Sequence, residues 1–251
     1  MKTQHKYIRK EYKNGGVRYI YTEKDIRGNA QMDKSFLAAK QKGSLLAGSR
    51  YEKAIEFFIR RRSSQNNGRA DSKDIERKEF IKYCKENGLW RDEVKEISSS
   101  HFLGNGVETN VYSYGEDRVL KQMTLSQHEH LDSPIEDILE RIANYNAVFP
   151  ELFLKLEGFG EFEFEGEKQF SILTTQSFIK GVRGVDRDEV VKFMERKGFK
   201  HDKGNTYYDS LFIVDDLHKA NVLKNENNYF VVDCFIERND EQGWKKIEGE
   251  I

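Results

Sequence analysis

Apolar and charged residues alternate over residues 7–25, on both sides of Asn14-Gly15-Gly16. A period of two around an Asn-Gly pair predicts a two-stranded hairpin with a tight turn. The apolar spacing then becomes helical, which predicts helices over residues 35–48, 49–62 and 71–90. An N-terminal segment made of a β-hairpin and helices is therefore expected over residues 1–96.

Strand-like spacing begins after Ser98. Gly104-Asn105-Gly106 lies between two apolar runs, and residues 114–117 predict a hairpin turn before the apolar strand that contains Lys121. A helix is predicted to begin at Ser133-Pro134, because both residues are typical of a helix start. The chain from residue 97 onward is thus predicted to mix strands with helix, which makes the fold class α+β.

Residues 213–237 read IVDDLHKANVLKNENNYFVVDCFIE and place acids among apolar strands. Asn221 follows Asp216 by five residues, and a further apolar strand leads to Asp233. One interpretation is a β-hairpin with incidental acids around it. The other is a functional site, and the choice depends on what lies upstream.

The net charge of the 251 residues is −1, but the charges are unevenly distributed. Residues 1–97 contain 24 basic and 14 acidic side chains, whereas the rest of the chain contains 18 and 29. We therefore expect a basic segment, residues 1–96, and an acidic domain, residues 97–251. We favour a solvated surface that complements the acidic domain over a surface that contacts nucleic acid, because the positive charge is spread out. Docking of the two halves through opposite charge would explain the distribution equally well.

Composition also excludes several classes of protein. Cys84 and Cys234 are the only cysteines, so neither a disulfide framework nor a cysteine zinc site is expected. No apolar run is long enough to span a membrane, and the N-terminus lacks the apolar stretch of a signal peptide. The sequence therefore predicts a cytoplasmic protein with no membrane partner.

A glycine-rich turn followed by a lysine can hold phosphate groups. Gly104 and Gly106 allow backbone N–H groups to approach an anion closely, and Lys121 in a following strand can neutralise it. Such a lysine needs a carboxylate to fix its ammonium group, and the predicted helix offers Glu136 and Glu140. We favour Glu140, because Glu136 stands at the capping-box position of the helix start.

Asp216, Asn221 and Asp233 supply what a phosphoryl-transfer site needs downstream. Such a site places one carboxylate near the acceptor hydroxyl, an amide oxygen on Mg²⁺, and a second carboxylate between the metal and the phosphates. The Asp216–Asn221 spacing is that of a kinase catalytic loop, and Asp233 follows a strand as the metal-binding Asp of kinases does. The candidate residues occur in kinase order along the chain.

Six stretches together resemble a known family, the Ser/Thr/Tyr kinase domain found in polyvalent proteins of phages and conjugative elements. They are FLGNGVETNVY, RVLKQ, LERIANYNAVFPELFLKLEGFGE, FSILTTQSFIKG, VVKFMERKGFK and DLHKANVLKNENNYFVVDCFI. The resemblance covers about residues 97–238. The D-x-H-x-x-N loop is also similar, more distantly, to that of aminoglycoside phosphotransferases.

The resemblance implies a protein-kinase-like fold of two lobes, with ATP bound between a small sheet lobe and a minimal C-terminal lobe. Gly104 and Gly106 would form the turn that covers the phosphates, and Lys121 would bind the α- and β-phosphates. Residues 176–179, with Gln176, Phe178 and Ile179 as the binding residues, would link the lobes and meet adenine through their backbone.

For the chemistry, the resemblance implies that Asp216 is the catalytic base and that Asn221 and Asp233 hold Mg²⁺. His218 stands where protein kinases often have Lys and phosphotransferases have His, so it is given a supporting role.

Two departures from the family pattern affect regulation and substrate. Val214-Asp215 replaces the His-Arg that precedes the catalytic Asp in many protein kinases, so control through an Arg that binds a phosphorylated loop is not expected. Eighteen residues follow Asp233, which predicts a minimal kinase without a long activation segment.

Three hypotheses follow from the sequence. The favoured one is an active kinase that uses ATP and Mg²⁺ to phosphorylate Ser, Thr or Tyr of a protein. The second is a small-molecule O-kinase on the same fold, suggested by the short C-terminus and the Asp-Leu-His loop. The third is a catalytically inactive nucleotide-binding or interaction module in which the basic N-terminal segment is the functional part.

Overall fold

The computed structural model describes residues 7–11, 17–21, 50–64, 73–106, 109–124 and 134–239. The helix predicted over residues 35–48, the Asn14-Gly15-Gly16 turn and the Ser133 cap lie outside these ranges. No helix within them combines the length and the apolar composition needed to cross a bilayer.

The N-terminal hairpin is confirmed. Strands β1 (Tyr7–Glu11) and β2 (Val17–Tyr21) pair antiparallel, with Tyr7 opposite Tyr21 and Glu11 opposite Val17. The turn between the two strands lies outside the described ranges.

Two amphipathic helices follow, α1 (Arg50–Ser64) and α2 (Lys73–Glu86), and confirm the helical spacing seen in the sequence. Their aromatic side chains pack together, with the rings of Phe58 and Phe80 5.1 Å apart between centroids. The Phe80 ring also meets the ring of Phe159 edge to face at 4.9 Å. Since Phe159 lies in a strand of the five-stranded sheet, the main sheet of the described residues, the two helices and that sheet share one core.

The largest sheet of the described residues is antiparallel, with the strand order β3-β4-β5-β7-β6. Its strands are β3 (Phe102–Asn105), β4 (Thr109–Tyr114), β5 (Arg118–Thr124), β6 (Lys155–Phe164) and β7 (Glu167–Ser177). The predicted turn over residues 114–117 joins β4 to β5. Lys121 lies in the middle of β5, opposite Thr174 of β7.

Helix α3 (Pro134–Val148) and a 3₁₀ turn (Pro150–Leu152) connect β5 to β6. Buried residues of α3, such as Ile138 and Ile142, belong to the same cluster as Phe159 and Ile172 of the sheet. A smaller cluster, built on Tyr112, Leu120, Phe162 and Leu173, is separate from it. Because Leu120 and Lys121 are neighbours in a strand, Lys121 points away from that smaller cluster.

The remainder of the described chain contains one helix and two small sheets. Their elements are β8 (Val182–Arg183), α4 (Arg187–Arg196), β9 (Lys200–His201), β10 (Tyr207–Tyr208), β11 (Phe212–Asp215), β12 (Val222–Asn225), β13 (Asn228–Val231) and β14 (Phe235–Arg238). The sheets have the orders β14-β11-β10-β9 and β13-β12-β8. Asp186 caps α4 by accepting the Asp188 N–H at 2.8 Å.

These elements confirm a mixed α+β fold. The two-lobed arrangement and the domain boundary at residue 97 stay predictions. The core crosses that boundary, however, because Phe80, Cys84 and Leu89 are fully buried with residues of the sheet. After α2, the chain runs beside β6, where the Arg91 N–H donates to the Phe159 carbonyl at 2.7 Å and the Phe159 N–H donates to the Leu89 carbonyl at 2.9 Å.

Replacing Gly158 in β6 by alanine tests this close approach. A Cβ at Gly158 would lie 2.5 Å from the Leu89 carbonyl oxygen, and its φ of +145° is unfavourable for other residues. We expect Gly158→Ala to lower the free energy of unfolding by about 2–4 kcal/mol in chemical denaturation. The control is Gly106→Ala, where the nearest atom to a Cβ is 3.9 Å away. Equal stability of the two variants would contradict the docking of residues 89–91 on β6.

Candidate active site

The loop between β11 and β12 is a tight turn that presents Asp216. The His218 N–H donates to the Asp216 carbonyl and the Asn221 N–H donates to the His218 carbonyl, both at 2.9 Å. The Asn221 amide nitrogen also donates to the Asp216 carbonyl at 2.9 Å. Asp216 adopts a φ of +57°, in the left-handed region that Asp and Asn tolerate better than most side chains. Strain of this kind is commonly found at functional sites.

Asp216 and Asn221 therefore lie side by side, with 3.5 Å between the Asn221 Nδ2 and the Asp216 Oδ2. The side chain of Asp216 is 63% exposed. Partial desolvation, followed by the nearby charges of Asp233 and Asp215, raises the pKa of Asp216, and His218 opposes this shift.

His218 is held beside this carboxylate. Its Nδ1 accepts the Ala220 N–H at 3.2 Å, so the proton of the neutral ring is assigned to Nε2. That Nε2 lies 3.7 Å from the Asp216 Oδ1. The ring thus lies beside the carboxylate but beyond hydrogen-bond distance, and its supporting role stays a prediction.

Lys121 approaches the same site from the main sheet. Its half-buried ammonium donates to the Val232 carbonyl at 2.6 Å. Burial lowers the pKa of Lys121, while the charge of Asp233 raises it. An ammonium has three donors, so one bond to a carbonyl leaves it able to bind phosphate oxygens as well.

Asp233 is exposed and lies between β13 and β14, directly after the residue that binds Lys121. The Val232 N–H donates to the Asn221 carbonyl at 2.8 Å, which ties this segment to the Asp216 loop. Five predicted residues are thus brought together by the fold: Lys121, Asp216, His218, Asn221 and Asp233.

Glu140 is the predicted partner of Lys121 on α3. Its charge contributes, after burial, to raising the pKa of Tyr51. The carboxylate whose charge acts on Lys121 is that of Asp233. A Lys121–Glu140 pair, and the preference for Glu140 over Glu136, stay predictions.

The glycine turn is only partly described, because residues 107–108 lie outside the described ranges. Gly104 lies in β3, where the pairing with β4 shifts register, and the Gly106 N–H donates to the Thr109 carbonyl at 2.7 Å. Gly106 has room for a Cβ, so the fold itself does not require glycine there. Phosphate binding by this turn stays a prediction.

The predicted adenine linker begins inside β7. Gln176 is 3% exposed, and its Oε1 has no hydrogen-bond partner among the described residues. The Phe178 N–H donates to the Asp117 carbonyl at 2.7 Å, so this particular group is used within the protein. Ile179 packs, partly buried, against the main core. Contact between residues 176–179 and a base stays a prediction.

Sequence reasoning missed two residues of α3 that contact the Asp233 segment. Tyr145 is buried and its hydroxyl donates to the Val231 carbonyl. Asn144 is also buried, and its amide nitrogen donates to the Ile236 carbonyl at 3.3 Å. The available signal was the run Asn144-Tyr145-Asn146, because polar side chains that a helix buries need partners.

The donors of this site suit Mg²⁺. The side-chain nitrogen of Asn221 donates a hydrogen bond to the Asp216 carbonyl. The side-chain oxygen of Asn221, Oδ1, is therefore the atom that Asn221 can offer to a cation. Asp233 adds an exposed carboxylate oxygen, and Mg²⁺ prefers such hard oxygen ligands. Within the described ranges no three His, Cys, Asp or Glu side chains converge as a metal site. A metal here would therefore need ligands from phosphates or water, as Mg²⁺ in nucleotide sites commonly has.

A family model described as the serine/threonine/tyrosine kinase found in polyvalent proteins matches residues 73–240. The match covers more than half of the chain, and this chain belongs to that family. It confirms the resemblance seen in the sequence and begins at the first residue of α2. Comparisons with the curated proteins and with the solved structures found no match.

The charges around Asp216 predict how stability depends on pH. A carboxyl whose pKa is raised by folding binds more protons in the folded state, so stability falls as the pH rises from the ordinary aspartate range, about 4, through the folded pKa. Asp216→Asn removes this charge and keeps a residue that tolerates positive φ. We expect its melting temperature to exceed that of the wild type at pH 7, with the difference shrinking below pH 4.

The control for this prediction is Asp202→Asn, which removes one charge from an exposed turn. We expect little change in its melting temperature at either pH. A lower melting temperature for Asp216→Asn than for the wild type at pH 7 would contradict the raised pKa of Asp216, which partial desolvation and the charges of Asp233 and Asp215 cause.

Proposed function

We propose that this chain transfers the γ-phosphoryl group of ATP to a hydroxyl, and that the acceptor is a Ser, Thr or Tyr side chain of a protein. One observation carries the proposal. The Lys121 ammonium and the Asn221 backbone both contact the Val232 peptide, which directly precedes Asp233, and the Asp216 carboxylate lies beside the Asn221 amide. Family membership supports the reaction class.

Lys121 neutralises phosphate oxygens in this proposal. The surrounding protein desolvates its ammonium, which strengthens its attraction to an anion. The bond to the Val232 carbonyl fixes the direction of the amine before nucleotide binds, so little ordering is needed at that moment.

Asp216 accepts the proton of the acceptor hydroxyl. Its carboxylate is exposed toward solvent, where an acceptor can approach, and a raised pKa brings it closer to the operating pH expected of a base. The Nε2 of His218 and the amide of Asn221 orient this carboxylate from two directions.

Asn221 and Asp233 are the residues proposed to hold Mg²⁺. When bound, the metal neutralises charge on the β- and γ-phosphates. The Val232 N–H bond to the Asn221 carbonyl fixes the spacing between these two residues. Gly104, Gly106 and residues 176–179 complete the proposed nucleotide site as the phosphate turn and the adenine linker.

Phosphoryl transfer from γ-labelled ATP with Mg²⁺ tests the proposal, with label scored on the protein itself, on a general protein substrate and on small-molecule hydroxyls. We expect Asp216→Asn to lower the rate of label transfer by about 10²–10⁴-fold, because it removes the proton acceptor. Nucleotide affinity, measured by calorimetry, should change far less.

The matched control is Asp215→Asn, which also removes one carboxylate charge, but at the residue before Asp216. The Asp215 carboxylate accepts the Thr206 hydroxyl at 2.8 Å, so we expect this variant to keep most of the wild-type rate. Equal rates for wild type and Asp216→Asn would remove Asp216 from the mechanism. Label on small molecules alone would exclude a protein acceptor, and absence of transfer to any acceptor would refute the proposal.

A further inference from the structure

Helix α3 contacts the backbone on both sides of Asp233. The Tyr145 hydroxyl donates to the carbonyl of Val231, two residues before Asp233. The Asn144 amide donates to the carbonyl of Ile236, three residues after it, at 3.3 Å. Both side chains are buried, with 4% of Tyr145 and 3% of Asn144 exposed. The segment that carries Asp233 is therefore fixed to the helix before and after the aspartate.

The contact of Tyr145 is the one nearest to the site. Consecutive residues Val231 and Val232 are held at three backbone atoms: the Val231 carbonyl by Tyr145, the Val232 carbonyl by Lys121, and the Val232 N–H by the Asn221 carbonyl. These partners belong to α3, β5 and the Asp216 loop. A shift of the Val231 carbonyl would therefore change the peptide that Lys121 and Asn221 both contact.

Asp233 depends on this backbone for its position. Its side chain is exposed, so packing around it cannot fix its direction. A metal ligand needs its supporting contacts to hold the oxygen in place, and loss of such contacts typically lowers metal affinity by about 10–100-fold. A buried phenol hydroxyl also needs an acceptor, and the Val231 carbonyl provides it.

Burial raises the pKa of the Tyr145 hydroxyl well above its ordinary value, and the charges of Cys234 and Asp233 raise it further. The hydroxyl is therefore a donor to the Val231 carbonyl at neutral pH.

We propose that Tyr145 is a positioning residue that sets the Asp233 carboxylate for the metal-bound nucleotide through the Val231 carbonyl. This inference rests on the proposed function, because it assumes that Asp233 holds Mg²⁺. It assigns to α3 a role that does not depend on Glu140.

Tyr145→Phe removes the hydroxyl and keeps the ring. The chain offers a matched control, because the Tyr51 hydroxyl is buried in the same core and donates to a backbone carbonyl as well, that of Leu139 on α3, at 2.6 Å. Tyr51→Phe thus loses an equivalent buried hydrogen bond far from Asp233 in the chain. Comparable losses of stability are expected for the two variants, because each loses one buried hydrogen bond of the same kind.

The measurement is the affinity for ADP by calorimetry, once with Mg²⁺ and once with EDTA. The ratio of the two affinities reports the metal contribution and not the general stability of the fold. We expect Tyr145→Phe to lower this ratio by about tenfold or more relative to wild type, and Tyr51→Phe to leave it unchanged. In steady-state transfer assays, Tyr145→Phe should also need more Mg²⁺ for half-maximal rate.

Two results would overturn the inference, and they are distinguishable. If the wild type binds ADP equally well with Mg²⁺ and with EDTA, the proposed metal site fails and the inference fails with it. If the wild type shows the Mg²⁺ effect but Tyr145→Phe and Tyr51→Phe give the same ratio, only the inference fails. If Tyr145→Phe does not fold, Asn144→Leu replaces it in this measurement. We expect Asn144→Leu to lower the ratio of the ADP affinities with Mg²⁺ and with EDTA. An unchanged ratio in Asn144→Leu would count equally against the inference.

Discussion

A half-buried ammonium that the protein partly desolvates needs an acceptor, and the fold provides the Val232 carbonyl for that of Lys121. Losing this acceptor would leave a partly desolvated polar group unpaired, so the contact constrains how β5 and the segment before Asp233 can lie. Tyr145 and the Asn221 carbonyl hold the same two-residue segment from α3 and from the Asp216 loop. The positions of Lys121, Asn221 and Asp233 are therefore linked through a short stretch of backbone that contains no polar side chain.

In the loop that carries Asp216, both the backbone conformation and the charge lower stability. The left-handed backbone is unfavourable for Asp216. Partial desolvation and the neighbouring carboxylates make the negative charge of Asp216 unfavourable. Hydrogen bonds from His218 and Asn221 to the Asp216 carbonyl offset part of that cost. Strained and repelling groups that the fold nevertheless maintains are typical of sites selected for chemistry.

The sequence predicted much of this arrangement, because local patterns specify local structure. The Asn-Gly hairpin, the turn over residues 114–117 and the spacing of Asp216 and Asn221 each depend on a few neighbouring residues. The family resemblance supplied the order of the site residues, and the family match confirmed the family. Cys84 and Cys234 are free thiols, one buried and one half-buried, and neither joins a disulfide.

What the sequence did not predict depends on contacts between distant residues. Tyr145 and Val231 are 86 positions apart, and nothing local in either stretch indicates the pair. The contact between Phe80 and Phe159 likewise joins the basic segment to the acidic domain, which the sequence divides near residue 97. Net charge does not indicate such a contact, because it is made by apolar side chains.

Lys121 and Tyr145 together hold the Val231–Val232 segment. Amide hydrogen exchange at Val232, resolved by NMR, measures this hold, because the Val232 N–H donates to the Asn221 carbonyl and exchanges only when the segment opens. We expect Lys121→Met and Tyr145→Phe each to speed exchange at Val232, while amides in the centre of β7, such as Leu173, keep their protection. Unchanged exchange at Val232 in both variants would show that these two side chains do not hold the segment.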